Sequence, residues 1–473
     1  MARKVLLITV GGSDVPLVDS VDHNKPDFIY FLCSDDKDGF AGSYKTVDGD
    51  GKPCSDLRTC NHCKTTTGEA RESIVKQLKL SIGDYEVVKI KHVDNVNHCY
   101  LEASRVIREI REQDPNTEII ADYTGGTKSM TAGLAAAAMD DGDVMLCVVS
   151  GKRPNLHKVE DGTQMARIID NSRVIVEKKL LLLQKLWQDY HYQSCLSLLA
   201  EIYERPMSDD DLLDQLEKIR YLCLAFEAWD RFDHAGAHKI LKREKDRVPE
   251  KYMQFLGRIL RTKTNWEEIL EQKQRDGKTV PDTEGEAVDK AEELSRKGEK
   301  ISHMLSFDPV YDLLLNAHRR AALGRYDDAV ARLYRALEMF GQLNLLRWDE
   351  PLHTGDIDIE KLPEQLRQEY ETLRDPRDGT ITLGLMQNYI LLSRLGTPVG
   401  KVFDKQKNDL HKHLQTRNNS LMAHGITPIS EADCQKMLAF VEEFIDTCCQ
   451  ELKEKSRFDA DLQFDGVKLR LLD

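Results

Sequence analysis

The chain has 473 residues, 41% hydrophobic and 31% charged, with a formal net charge of −14. One hydrophobic core rarely serves so long a chain, so two or three domains are expected, and the acidic balance excludes a protein that coats nucleic acid non-specifically. No apolar run is long enough for a membrane span, residues 4–10 are too short for a signal-peptide core, and eleven cysteines without an export signal predict reduced thiols in a cytoplasmic protein.

Strand-like apolar runs stand at 5–10, 28–32, 85–90, 118–121 and 144–149, with helical stretches at 74–80, 99–113 and 128–139. Short apolar strands alternating with helices predict an α/β domain of Rossmann type over residues 1–172, built on a mainly parallel sheet. From residue 173 amphipathic helical patterns take over, and 173–305 reads as a helical linker region. Its stretch 261–300 is polar and holds Gly277, Pro281 and Gly285, which predicts a loop or an exposed helical excursion. An all-α domain is expected over 306–473, ending in a short strand near 464–472. Within it, 327–338 reads as an amphipathic helix with Ala329, Leu333, Ala336, Leu337 and Phe340 facing a core.

Two glycine-containing turns follow predicted strands. The first is Gly11-Gly12-Ser13-Asp14; the second is Thr124-Gly125-Gly126-Thr127-Lys128, which opens an alanine-rich helix. In open α/β sheets ligands bind beyond the carboxyl ends of the strands, and a helix N-terminus offers unpaired N–H donors to an anion. Glycines let the backbone approach a ligand, while Thr124, Thr127, Ser129 and Lys128 supply hydroxyls and a positive charge. The spacing fits neither a Walker A loop nor Gly-x-Gly-x-x-Gly, so a nicotinamide cofactor is not expected. Cys60-x-x-Cys63, with Cys54 or Cys33, has part of the spacing of a zinc site. A second Cys-x-x-Cys pair is absent and the segment is otherwise polar and glycine-rich, so free thiols are the expectation and no cofactor is required.

Near the other end, 404–425 reads as one helix stopped by Gly425, with Arg417 and His424 two turns apart, about 10 Å, on one face. His424 would lie in the last turn, where the helix dipole favours its protonated form. Arg417, Asn418 and His424 suit metal-independent RNA cleavage. Histidine serves as acid or base for the 2′-hydroxyl and 5′-oxygen, and arginine holds the phosphorane. One Arg and one His are few groups for this reaction, so a two-fold homodimer that pairs two such helices is expected. His411 and His413 fall on other faces and are expected to be solvated.

These stretches together resemble the CARF–HEPN ribonucleases that accompany type III CRISPR systems, the Csm/Csx-type accessory nucleases. The resemblance rests on Gly11-Gly12-Ser13, on 122–130 and on Arg417-Asn418 followed by His424, with 327–338 as a further match. It implies a CARF sensor that binds cyclic oligoadenylate and a HEPN domain that cleaves single-stranded RNA once the sensor is occupied. Gly11, Gly12, Ser13, Asp14, Thr124, Gly125, Gly126, Thr127, Lys128 and Met130 would then line the activator site, and Arg417, Asn418 and His424 the nuclease site. Two other readings share the motifs: a ring nuclease that degrades cyclic oligoadenylate in the sensor, and a non-catalytic nucleotide-sensing regulator.

Overall fold

Strand β1 (Lys4–Thr9) is buried from Val5 onward, and β2 (Phe28–Ser34) from Ile29 to Cys33. Strands this apolar on both faces belong at the centre of a covered parallel sheet. β3 (Tyr85–Ile90), β4 (Glu118–Asp122) and β5 (Met145–Ser150) join them in parallel, and β6 (Met165–Ile169) closes one edge antiparallel to β5. The order is β3-β2-β1-β4-β5-β6. The computed structural model describes residues 3–37, 42–49, 72–151, 163, 165–204, 210–244, 249–276, 304–421 and 423–454.

Side chains alternate between the two faces. Leu6, Ile8, Ile29 and Phe31 meet Leu17 and Val21 of α1 (Val15–Asn24), Val47 of α2 (Tyr44–Val47) and Ile74 of α3 (Ile74–Leu78). Val5, Leu7, Tyr30 and Leu32 meet Val106 and Ile107 of α4 (Val96–Gln113) and Leu134 of α5 (Lys128–Asp141). The mainly parallel sheet read from the sequence is therefore present. β6 was not expected: Met165, Arg167 and Ile168 are exposed, so this edge strand has no apolar run to reveal it.

The sheet and its helices form one unit, Met1–Leu181, and the second unit is Leu182–Asp473. α6 (Ser172–Gln188) crosses the division, and α7 (Tyr192–Tyr203), α8 (Asp210–Asp230), α9 (His234–Leu241) and α10 (Glu250–Asp276) follow. Phe226 centres an aromatic cluster in which the rings of Trp187, Tyr192, Trp229 and Tyr252 lie 5.3–6.3 Å from its own. Of the stretch expected as loop or excursion, 261–276 completes α10, and the remainder lies outside the described residues.

Among the described residues six further α-helices belong to the second unit: α11 (Asp308–Ala322), α12 (Tyr326–Leu346), α13 (Glu364–Glu371), α14 (Leu385–Arg394), α15 (Pro398–Asn418) and α16 (Glu431–Glu451). Ala329, Leu333, Ala336, Leu337 and Phe340 are all buried, as their helical spacing predicts. Two buried carboxylates tie α8 and α9 to α11. Asp230 accepts from Arg319 Nε at 2.8 Å, from Asn316 Nδ2 at 2.9 Å and from Arg320. Asp312 accepts from Trp229 Nε1 at 2.8 Å and pairs with His234 Nε2 at 2.7 Å. Removing one partner of such a buried pair costs about 3–5 kcal/mol, because the other charge is left without compensation.

Cys54, Cys60, Cys63 and the segment 464–472 lie outside the described residues. Cys33 is a buried thiol in β2, its pKa pushed up by burial. Among the described residues no helix is long and apolar enough to cross a membrane.

Candidate activator and nuclease sites

β1 and β4 are neighbours, yet the chain leaves β1 toward β2 on one side and β4 toward β5 on the other. That divergence opens a crevice at their carboxyl ends. The two glycine turns meet there backbone to backbone. A Cβ on Gly11 would stand 2.7 Å from Gly126 N, and one on Gly125 would press into the carbonyl oxygen of Thr9 and 3.1 Å from Leu17. Thr9 Oγ1 seals the contact by donating to Gly125 O at 2.6 Å. Gly126, with φ +88°, makes the left-handed turn into α5.

The threonine hydroxyls help to hold this turn. Thr124 Oγ1 accepts from Val149 N at 2.7 Å. Thr127 is the N-cap of α5: its Oγ1 accepts from Met130 N at 3.3 Å and donates to Val93 O at 2.6 Å. Ser129 Oγ donates to Asp94 O at 3.0 Å. Met130 and Asp14 are buried, Met130 in the core and Asp14 accepting from Gln77 Nε2 at 2.9 Å. These two support the turns from behind and do not line an open surface. Gly12 and Lys128 are exposed, Ser13 is half-buried, and Lys128 has no side-chain partner among the described residues. An ammonium beside the first turn of α5 is the local positive site that the overall charge of the chain does not supply.

Below the turn Asp122 is fully buried. Burial raises its pKa above the usual carboxylate range, opposed by hydrogen bonds from Ser20 Oγ and Thr124 N. A third segment, missed in the sequence, shares this edge: the loop between β3 and α4 accepts the Thr127 and Ser129 hydroxyls on Val93 and Asp94. It carries His92, whose ring meets that of His98 in the first turn of α4 edge to face at 5.1 Å. Its polar residues have no periodicity; only the strand order places it beside α5.

In the second unit α15 ends at Asn418, seven residues before Gly425. The single helix to Gly425 expected from sequence is thus broken. The segment after Asn418 folds back on itself through Leu421 N to Thr427 O at 3.1 Å and Gly425 N to Ser420 O at 3.0 Å. His424 N donates to Asn418 O at 3.2 Å and Ser420 N to Arg417 O at 3.0 Å, so two of the carbonyls left unpaired at the helix end are capped. His424 is exposed beside the α15 C-terminus, reached by a turn and not by helical spacing. The structure brings Arg417, Asn418 and His424 to one helix end.

The Arg417 guanidinium lies over the Tyr334 ring of α12, 4.3 Å from its centroid, and its Nη1 donates to Asn418 Oδ1 at 3.2 Å. At the far end of the turn Ile429 N donates to Asp327 Oδ2 at 3.0 Å, again on α12. His413, expected to be solvated, is half-buried and stacks on Phe440 at 4.6 Å. Burial first, and Lys412 second, lower its pKa. His411 is exposed.

The turn depends on Gly425, where a Cβ would enter the carbonyl oxygen of Asn419 and stand 2.8 Å from Asn419 Cα. Gly425→Ala is expected to displace His424 and slow RNA cleavage by about 10²-fold, the scale of a 1 Å error in a reacting group. Initial rates on a quenched fluorescent RNA check this, and a parental rate would show that the turn does not position His424.

Residues 302–447 match the family model described as the Csm6 HEPN domain. A solved structure of Enterococcus italicus Csm6 bound to cyclic hexa-2′-fluoro-hexa-dAMP is similar over 100% of both chains, with a TM-score of 0.58 and 12% sequence identity. No curated protein matches the sequence significantly. The HEPN part of the resemblance drawn from the motifs agrees with the family match over 302–447, and the order of an α/β unit followed by helices agrees with the fold of the Enterococcus structure.

Proposed function

We propose that this chain, which carries a HEPN domain of the Csm6 type and the fold of a Csm6, is a metal-independent endoribonuclease switched on by cyclic oligoadenylate. The sensor is residues 1–172 and the nuclease 306–473, with 173–305 between them. The observation that carries the reading is the fold-back after Asn418, which gathers Arg417, Asn418 and His424 inside the stretch matching the HEPN model.

Chemically, the 2′-hydroxyl of the RNA loses its proton and attacks the adjacent phosphorus, and the bond to the 5′-oxygen breaks as that oxygen gains a proton. His424 moves a proton at one of these oxygens. Arg417 holds the charge that builds on the non-bridging oxygens, and Asn418 orients Arg417. A second protomer supplies the second Arg and His around one cleft. In the sensor, the Gly11–Ser13 turn, the Gly125–Gly126 backbone and Lys128 meet half of a two-fold cyclic ligand. The bound ligand in the Enterococcus structure supports this activator class, and the open Gly12 and an exposed Lys128 with no side-chain partner among the described residues support its place. Activation requires the ligand to bind the cleavage-competent dimer more tightly than the resting one.

The test is a fluorogenic single-stranded RNA assay in EDTA with cyclic tetra-adenylate and hexa-adenylate. Cleavage that needs one of them and survives EDTA is expected; loss in EDTA overturns the metal-free mechanism. Lys128→Ala is expected to weaken activator binding by about tenfold, the cost of one hydrogen bond to a charged group, and calorimetric titration showing full affinity would place the pocket elsewhere.

A further inference from the structure

Arg417 stands apart from the other arginines nearby. On α12, Arg332 pairs with Asp328 at 3.2 Å and Arg335 with Glu338 at 2.7 Å. Arg417 makes no ion pair with a carboxylate among the described residues, although the chain has 81 acidic residues against 67 Lys and Arg. Its contacts are the Tyr334 ring and Asn418.

From this geometry we infer that Tyr334 is a positioning residue of the nuclease site, a platform that holds the Arg417 guanidinium without neutralising it. The inference rests on Arg417 being the group that binds the scissile phosphate. A carboxylate would fix the guanidinium equally well but would occupy its N–H edge and cancel its charge. An aromatic face attracts the cation through its quadrupole and leaves the N–H donors in the guanidinium plane for an anion. The platform is itself fixed. Leu333 and Leu337, on either side of Tyr334, are buried, and Leu337 O accepts from Tyr389 Oη at 2.7 Å. Two turns earlier on the same helix, Asp327 holds the end of the His424 turn through Ile429 N. One helix therefore sets the place of Arg417 through a ring and of the His424 turn through a carboxylate.

The experiment compares Tyr334→Leu, Tyr334→Phe and Arg417→Ala in the full chain, with cyclic hexa-adenylate or tetra-adenylate and a fluorogenic RNA. Tyr334→Leu is expected to lower kcat about five- to thirtyfold with KM little changed, since the lost interaction orients the transition state more than it binds substrate. Tyr334→Phe restores most of the rate because the ring face remains. A parental kcat for Tyr334→Leu, or an equal loss in Tyr334→Phe, overturns the inference; the latter would assign the effect to the hydroxyl. Should Tyr334→Leu lower the melting temperature, the same comparison is made with Tyr334→Gln, and the same two outcomes decide. Arg417→Ala separates the layers. If it cleaves like the parent, the nuclease reading fails; if it is inactive while Tyr334→Leu is unimpaired, only the platform fails.

Discussion

Replacing either Arg417 or His424 by alanine will leave the chain folded and able to bind its activator, while RNA cleavage falls by about 10²- to 10⁴-fold. Both side chains are at least partly exposed at a helix end, so neither truncation opens a cavity. The loss would come from chemistry. Without His424 a proton must pass to or from water, and without Arg417 the phosphorane charge lacks its in-plane donors. Each variant should be assayed for cleavage and, separately, for activator binding by calorimetry. Cleavage at the parental rate in either variant would remove the HEPN reading of this turn. Loss of activator binding together with cleavage would mean that the substitution acts through the fold.

Gly125→Ala should have the largest effect on the sensor. Its Cβ would be driven into the carbonyl oxygen of Thr9 and would stand 3.2 Å from Gly11 N, so both close contacts on that side are backbone atoms and not the end of a flexible side chain. Overpacking of this kind costs about 1–3 kcal/mol, or roughly 2–12 °C in the melting of a unit of this size. Because the two turns must part, activator affinity should fall with stability. Gly12→Ala is the informative contrast: nothing lies within 4 Å of its Cβ, so the fold should be unaffected and any lost affinity would report contact with the ligand itself. If Gly125→Ala binds cyclic oligoadenylate as tightly as the parent, the meeting of the two turns does not shape the pocket.

Much of this was legible in order along the chain. The apolar strands were found within a residue or two, because a buried parallel strand is a local composition signal. The amphipathic face of α12 was found for the same reason. The reading ran short where polar side chains take partners distant in sequence. Thr124, Thr127 and Ser129 have the chemistry to bind a phosphate, yet the structure commits them to Val149, Val93 and Asp94, which are distant in sequence. The end of α15 failed differently. Asn418-Asn419-Ser420 contains no proline or glycine, so local propensity lets the helix run on, and its termination comes from the Ser420–Thr427 pairing and the capture of Ile429 by Asp327.

By itself the sequence determined that an α/β sheet would present two glycine turns and one lysine at the carboxyl ends of its strands, and that Arg417 and Asn418 would lie on a helix ahead of Gly425. Those properties follow from hydrophobic period and residue chemistry, which are local. Only the tertiary structure decided that Gly11 and Gly125 touch, that Lys128 has no side-chain partner among the described residues, that His424 reaches the helix end by a fold-back, and that Tyr334 lies beneath Arg417. Each of these depends on which distant backbone or ring arrives at a given place, and that is set by packing.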